Sequence, residues 1–339
     1  MHTSDLDGPA PATIAMIGGG SWATALTKIL SENGHTVHWW FRHAADVKHL
    51  REFRHNPRYL SGVAFDLRRV LPTTDLAATI AAAEWVVLAV PAAFIRPALR
   101  PLPADALRGK TVISAIKGMV PELNVLVTDW VREHYHVAPE QLGVVAGPCH
   151  AEEVALEKQS YLTIGSPDLA RAEGFAALLR NRYVRCSASG DLDGIEYCAV
   201  MKNIIALTCG IAHGLGYGDN FQAVLVSNAL QEIQRFLHAL LPVDRDLAGS
   251  AYLGDLLVTA YSQFSRNRTF GNMIGRGYSV KSAQMEMNMV AEGYYAVKSV
   301  YEVNRRLQVS MPITDAAYNI LYGRISPAVE LEILRDKFS

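Results

Sequence analysis

Lys202 is the side chain whose setting most suggests chemistry. It stands in residues 195–211, a stretch apolar on nearly every face, where helical spacing puts Ile195, Cys198, Lys202, Ile205, Ala206 and Cys209 on one side. A buried ammonium is costly unless paired. Burial lowers a lysine from its usual value of about 10.4, and a second cation such as Lys117 pushes the same way. A lysine so placed suits a proton donor and acceptor near neutral pH. The alternative is a lysine at the helix rim that snorkels to water. If Lys202 is that proton donor, Lys202→Met keeps the volume and apolar packing and should hold or raise stability, because a buried ammonium leaves the interior.

Three further constellations carry candidate chemistry. Asp255, in Leu253-Gly254-Asp255, either orients Lys202 or a substrate hydroxyl, or caps a helix. Ser265-Arg266-Asn267-Arg268 has two arginines among hydrogen-bonding side chains, which matches a phosphate clamp or else a solvated basic face, and the glycines from Gly271 to Gly277, with Arg276, read as a turn nearby that does not decide between the two. Gly147-Pro148-Cys149-His150-Ala151-Glu152-Glu153 offers His150 and Cys149, but no carboxylate can be assigned to the histidine and nothing nearby activates a thiolate. Both read as local structure or ligand-contacting surface. The four cysteines, Cys149, Cys186, Cys198 and Cys209, form no Cys-x-x-Cys pair, so they read as reduced thiols and no metal site is expected.

The elements that position these groups begin at a glycine turn. The apolar run 13–17 reads as a buried strand, Gly18-Gly19-Gly20-Ser21-Trp22-Ala23 as a turn, and residues 24–30 as a helix. Strand, Gly-x-Gly-x-x-Ala and helix in that order form a dinucleotide-binding pattern. Gly18 permits the turn, Gly20 lets backbone approach a pyrophosphate, Ala23 allows close helix–strand packing, and the helix N-terminus favours the phosphates. The next strand, 36–41, ends in Arg42-His43. An acidic residue about 20 positions after the glycines would bind a ribose 2′-hydroxyl, whereas an arginine accommodates a 2′-phosphate. No acid stands at this strand end, so NADP is favoured, or at least tolerated. Arg42 is otherwise only a solvated charge.

Length and composition set the frame. The chain has 339 residues, half of them hydrophobic and 19% charged, with a net charge of −1. Two globular domains are expected, and a nucleic-acid partner is not. The N-terminal residues carry acids and prolines rather than an apolar core, so they are no signal peptide. Apolar runs such as 85–95 are too short to span a bilayer, and a cytoplasmic protein without membrane insertion is expected. Residues 70–72, 85–90, 111–116 and 142–146 read as further strands separated by helices, which makes a parallel α/β sheet. Ligands sit outside the carboxyl ends of such strands, where Lys117 and Gly147 fall. The small polar stretch 187–194 marks a boundary, after which the pattern is helical, with helices near 220–240 and 292–308. The expected division is a tail at 1–11, a Rossmann-type domain at 12–188 and an all-α substrate domain at 189–339.

Together these stretches resemble the bacterial NAD(P)-dependent glycerol-3-phosphate dehydrogenase family. The residues that carry the likeness are IGGGSWATAL (17–26), HNPRYL (55–60), AVP (89–91), IKG (116–118), GPCHAEEVA (147–155), MKNIIALTCGIAHGLGYGDN (201–220), LGDLLVT (253–259), SRNRTFG (265–271), AEG (291–293) and MPIT (311–314). The resemblance implies reversible reduction of dihydroxyacetone phosphate to sn-glycerol 3-phosphate with NADPH or NADH, feeding glycerophospholipid synthesis. It implies that Lys202 is the proton donor and acceptor, with Lys117 and Asp255 beside it. It implies that Lys117, Gly147, Cys149, Lys202, Asn203, Asp255, Ser265, Arg266 and Asn267 meet substrate. Gly18, Gly20, Ser21, Trp22, Ala23, Arg42, His43, Lys117, Ala151, Arg266, Val290 and Glu292 would line the cofactor. The family usually has Ser or Thr where Cys149 stands, so a hydroxyl contact becomes a weaker thiol. A homodimer is a possible assembly. The rival readings are a related two-domain dehydrogenase for another hydroxy acid or sugar phosphate, and a non-catalytic NADP-binding sensor. The Lys202-Asn203 and Ser265-Arg266-Asn267 pairs weigh against the former, and a buried lysine in the second domain weighs against the latter.

Overall fold

The computed structural model describes residues 10–287 and 290–338. Residues 1–9 of the expected tail lie outside the described residues. Contacts divide the chain into two compact units. One holds the described residues through Val90 with Phe94–Ile116 and Thr128–Leu192, and the other holds Pro91–Ala93, Lys117–Val127 and the chain from Asp193 onward.

The first unit is built on a sheet. Its strands are β1 (Thr13–Ile17), β2 (Thr36–Trp40), β3 (Val70–Thr73), β4 (Trp85–Leu88) and β5 (Thr111–Ser114), then β8 (Leu142–Ala146), β9 (Ser160–Gly165) and β10 (Val184–Ser189). The pair β6 (Met119–Val120) and β7 (Val125–Leu126) is a separate antiparallel hairpin belonging to the other unit. The sheet order is β10-β9-β8-β5-β4-β1-β2-β3. Neighbours from β3 through β8 are parallel, and only the β8–β9 pairing is antiparallel. The helices of this unit are α1 (Ser21–Glu32), α2 (Ala44–Phe53), α3 (Leu76–Ala81), α4 (Ile95–Leu99), α5 (Val127–Tyr135), α6 (Ala151–Ala155) and α7 (Leu169–Leu179). Strands covered on both faces should be apolar throughout rather than alternating. β1, β4, β5 and β8 are accordingly buried at nearly every residue. Chain order reverses between β1 and β4, and the crevice at such a switch point is where this architecture binds ligands. This is the Rossmann-type sheet the sequence predicts, with β9 and β10 added beyond the expected strands. β10 alternates buried and exposed residues and is rich in serine, which is why its end reads as a linker. The expected boundary stretch 187–194 thus spans the end of β10 and the start of the next helix.

From Asp193 onward every regular element among the described residues is helical. The helices are α8 (Leu192–Gly214), α9 (Asp219–Leu240), α10 (Asp255–Tyr261), α11 (Arg266–Gly275), α12 (Val280–Glu286), α13 (Glu292–Leu307), α14 (Pro312–Leu321) and α15 (Pro327–Arg335). Helix α8 is the axis of this unit's core, where Val200, Met201, Ile204, Ile205, Leu207 and Ile211 are all buried. The expectation that no apolar run could span a bilayer is corrected here. By length and composition α8 could cross a membrane, but its most apolar 18-residue stretch is entirely buried inside the fold, as in a core helix.

Residues 271–277, expected to be a turn, also read differently in the structure: Gly271 to Gly275 continue α11. Their glycines serve close packing rather than a bend. Gly210 and Gly214 of α8 face Gly271 and Gly275 of α11, and a methyl group on any of them would strike backbone of the opposite helix. The two backbones therefore touch, which fixes where the N-terminus of α11 lies along α8.

Candidate active site

In the sheet unit the turn after β1 sits at the switch point. Gly18 has φ +127°, and a Cβ there would lie 2.5 Å from the carbonyl oxygen of Ala89, just past β4. Only glycine fits. Gly20 precedes α1 with extended backbone and no side-chain cap, and the space a Cβ would take beside it is open. Ser21 and Ala23 are buried, with Trp22 half-buried between them. An open glycine edge at the start of a 12-residue helix fits the pyrophosphate of a dinucleotide. Arg42 and His43 follow β2 and are exposed. The nearest following acid in the chain, Asp46, is paired with Arg58 at 2.5 Å.

At the carboxyl end of β8, Gly147 has φ +124°, and a Cβ would lie 2.5 Å from Tyr161 O. Cys149 is buried two residues later, and Ala151 opens α6. His150 precedes that helix without capping it through its side chain.

In the helical unit Lys202 is buried, and its Nζ donates to Asp255 Oδ1. It does not snorkel. Asp255 is likewise buried, and its Oδ2 lies 3.5 Å from Lys117 Nζ. A turn of π-helix over Ser250–Gly254 leads into α10 and delivers Asp255 as its first residue. Its carboxylate therefore bridges the two lysines. Burial drives Lys202 well below the ordinary lysine value and Lys117 adds to that, while Asp255 opposes both. With Lys202 protonated, two ammonium groups and one carboxylate leave an excess positive charge in a desolvated setting, where it attracts an oxyanion strongly.

A chain of amides surrounds this cluster. Asn203 Nδ2 donates to Lys117 O at 2.7 Å, Asn267 Nδ2 donates to Asn203 Oδ1 at 2.9 Å, and Gly293 N donates to Asn267 Oδ1 at 2.8 Å. Each amide donates one way and accepts the other, so one register links the Lys117 backbone, α8, α11 and α13. Gly293 has to be glycine, since a Cβ would lie 2.6 Å from Asn203 O. Ser265 caps α11 by accepting from Arg268 N at 3.3 Å, and Arg266 is the first residue of that helix. Glu292 opens α13 and accepts from Ala92 N at 2.8 Å, and Gly118 leaves room for its carboxylate. Burial raises the Glu292 carboxyl to about 7, against the pull of the Ala92 N–H and of Arg266. Val290 lines a groove of about 350 Å³ with Phe270, Tyr294 and Tyr295.

Lys117, Lys202, Asn203, Asp255 and Asn267 thus form one contiguous network, with Ser265, Arg266 and Glu292 on elements tied directly to it. Gly18, Gly20, Ser21, Trp22, Ala23, Arg42, His43, Gly147, Cys149 and Ala151 all belong to the sheet unit. Sequence reasoning assigned no role to Gly118, Gly293 or the Ala92 N–H, although each lies in a short motif, IKG, AEG or the residues after AVP. Among the described residues no three His, Cys, Asp or Glu side chains converge as a metal site would require.

A glycine-turn Rossmann sheet followed by a helical unit with a buried Lys–Asp–Lys cluster is the arrangement of a two-part nicotinamide-dependent dehydrogenase. Comparison with known proteins narrows the class. Residues 13–172 match the family model for the N-terminus of NAD-dependent glycerol-3-phosphate dehydrogenase, and residues 191–332 match that for its C-terminus. Glycerol-3-phosphate dehydrogenase [NAD(P)+] from Geobacillus thermodenitrificans is 37% identical over 95% of this chain and 94% of its own. The protein of that name from Bacillus velezensis is 34% identical over 96% and 94%. The crystal structure of glycerol-3-phosphate dehydrogenase from Coxiella burnetii superposes with a TM-score of 0.90 at 27% identity, covering 97% of this chain and all of that one. The chain belongs to the NAD-dependent glycerol-3-phosphate dehydrogenase family.

Proposed function

We propose that the protein catalyses the reversible reduction of dihydroxyacetone phosphate to sn-glycerol 3-phosphate with NADPH or NADH. The observation that carries this reading is the buried Lys202–Asp255–Lys117 cluster. When bound, a reduced nicotinamide would supply the hydride for the carbonyl carbon. Negative charge then develops on the carbonyl oxygen, and Lys202 Nζ stabilises it and gives it a proton. Asp255 holds Lys202 in place, and Lys117 keeps the local charge positive. Arg266, at the start of α11, takes the phosphate tail, which anchors the carbonyl for attack. Asn203, Asn267 and Ser265 hold that end of the site in register, and Gly147 and Cys149 contact substrate.

Gly18, Gly20, Ser21, Trp22, Ala23, Ala151, Val290 and Glu292 are assigned to the cofactor, with Arg42 and His43 at the ribose 2′-position favouring NADPH. We assign residues 12–188 as the cofactor domain and residues 189–339 as the substrate domain. A cytoplasmic homodimer feeding glycerophospholipid synthesis, with no nucleic-acid partner and no membrane insertion, completes the reading. The test mixes the protein with NADPH and dihydroxyacetone phosphate and follows the nicotinamide absorbance. Substrate-dependent loss of that absorbance is expected. Binding of NADPH without turnover of any phosphorylated ketone would instead support a sensor.

A further inference from the structure

Three consecutive carbonyl groups of the glycine turn are each held by a side chain from a different element. Trp39, on β2, donates from Nε1 to Gly18 O at 2.6 Å. Asn56, in the loop after α2, donates from Nδ2 to Gly19 O at 3.0 Å. Thr24, one turn into α1, donates from Oγ1 to Gly20 O at 2.8 Å, beside the helical bond that the same carbonyl accepts from Thr24 N at 2.9 Å. Asn56 Nδ2 also donates to Thr24 Oγ1 at 2.9 Å, so the second and third holds are mechanically one. The Asn56 Oδ1 accepts from Arg58 N at 2.9 Å and Tyr59 N at 3.2 Å, which fastens the loop that carries it. All three side chains are buried, and the Trp39 ring is wedged against Phe41 and Phe65. The Phe41 ring in turn lies where a Cβ on Gly19 would go.

These holds act on the most easily turned peptide units in the sheet unit. The Gly18–Gly19 and Gly19–Gly20 units have no Cβ on either side to oppose rotation. A trans peptide is planar, so fixing the carbonyls of Gly18, Gly19 and Gly20 fixes the N–H groups of Gly19, Gly20 and Ser21 in the opposite direction. At a phosphate-binding turn the two directions are not equivalent. An N–H attracts the anion, and a flipped peptide would present a carbonyl oxygen that repels it.

We propose that Trp39, Asn56 and Thr24 form a carbonyl lock that keeps the N–H groups of Gly19, Gly20 and Ser21 directed at the pyrophosphate of the nicotinamide dinucleotide. They are positioning residues for cofactor binding. The inference rests on reading this turn as the dinucleotide site. It assigns a task to the HNPRYL stretch, which contains Asn56, and to the indole N–H of Trp39.

The test uses two variants of the whole chain. Trp39→Phe keeps an aromatic ring and removes the donor, and Thr24→Val keeps the shape and removes the hydroxyl. Dissociation constants for NADPH and for ADP-ribose are measured by titration, together with the melting temperature and the KM for dihydroxyacetone phosphate. The lock requires that NADPH and ADP-ribose weaken by the same factor as each other in each variant, about three- to tenfold for Trp39→Phe, the affinity equivalent of one net hydrogen bond, and by a smaller factor for Thr24→Val, where Thr24 N still holds Gly20 O. The KM for dihydroxyacetone phosphate and kcat at saturating NADPH should stay within twofold. Unchanged NADPH and ADP-ribose affinity in folded variants overturns the lock, as does an equal loss of affinity for all three ligands. If one variant does not fold, the other decides alone. A parent protein that binds neither NADPH nor ADP-ribose overturns the reading of the turn and the lock with it.

Discussion

Lys202→Met is the substitution on which the mechanism stands or falls. Methionine keeps an unbranched side chain of similar length and removes the ammonium. In the parent, Lys202 Nζ lies on Asp255 Oδ1, and both residues are buried. The variant leaves the Asp255 carboxylate facing Lys117 at 3.5 Å without Lys202. Removing one member of a buried pair typically costs about 3–5 kcal/mol. Lys117 takes up part of that charge, so a loss near the lower end is expected. This reverses the expectation from sequence that removing a buried ammonium would hold or raise stability. Adding Asp255→Asn removes the residual charge and should restore part of the lost stability. Turnover behaves differently. Losing a general acid typically costs about 10²–10⁴-fold, or roughly 3–5 kcal/mol of barrier, and the second substitution should restore none of it. As the proposed donor, Lys202 must be protonated for reduction, so the parent's turnover should decline as pH rises through the lowered lysine value, and the variant should lack that limb. The assay is nicotinamide absorbance at saturating dihydroxyacetone phosphate, with melting temperature and NADPH affinity measured on the same samples. Turnover of Lys202→Met within a few-fold of the parent would refute the proton-donor role and leave Lys117 as the candidate.

Other outcomes test the surrounding framework. Gly271→Ala puts a methyl group on the Leu207 carbonyl and must part α8 from α11, so a loss of about 1–3 kcal/mol is expected from overpacking. Displacement of Ser265, Arg266 and Asn267 should also raise the KM for dihydroxyacetone phosphate, and unchanged melting temperature and KM would contradict the close crossing. Arg42→Glu should weaken NADPH far more than NADH, because it sets a carboxylate against the 2′-phosphate; equal losses would show that Arg42 does not read that group. Glu232 is buried against the start of α14, where it accepts from Ile313 N, Thr314 N and Thr314 Oγ1, and burial raises its carboxyl to about 7. An acid whose folded value is raised contributes stability below its unfolded value, and that contribution is lost as pH rises to the folded one. Denaturant titrations should therefore show stability falling between about pH 4.5 and 7, and a slope unaltered in Glu232→Gln would remove Glu232 as its source.

The parts of the fold that were legible in the sequence are those whose cause is local. β1, β4, β5 and β8 are buried on both faces and announce themselves as apolar runs, and Gly18 announces the turn because no other residue tolerates its φ of +127° against Ala89. β10 was not legible, because an edge strand with one solvated face can be built from VRCSAS, and that composition also suits a linker. The run Gly271 to Gly275 misled for the opposite reason. A glycine in a helix has no local justification, and its cause, the carbonyls of α8, lies about 60 residues away in the chain.

The candidate site divides along the same line. Lys202 could be singled out because an ammonium inside an apolar helix conflicts with its own surroundings. Nothing in the spacing of Lys117, Lys202 and Asp255 says that one carboxylate bridges both lysines, and the sign of the expected stability change depends on that bridge. The amide chain from the Lys117 carbonyl through Asn203 and Asn267 to Gly293 N was equally hidden, since an asparagine in a helix reads as ordinary polarity until its partners are known. The same holds for Trp39 and Asn56, which a sequence presents as one aromatic in a strand and one polar residue in a loop. Residues that conflict with their local setting can therefore be found from sequence, while residues that satisfy distant ones cannot. The proposed chemistry of the helical unit draws on both kinds, because a proton-donor role for Lys202 requires Asp255 and Asn203 to hold its surroundings fixed.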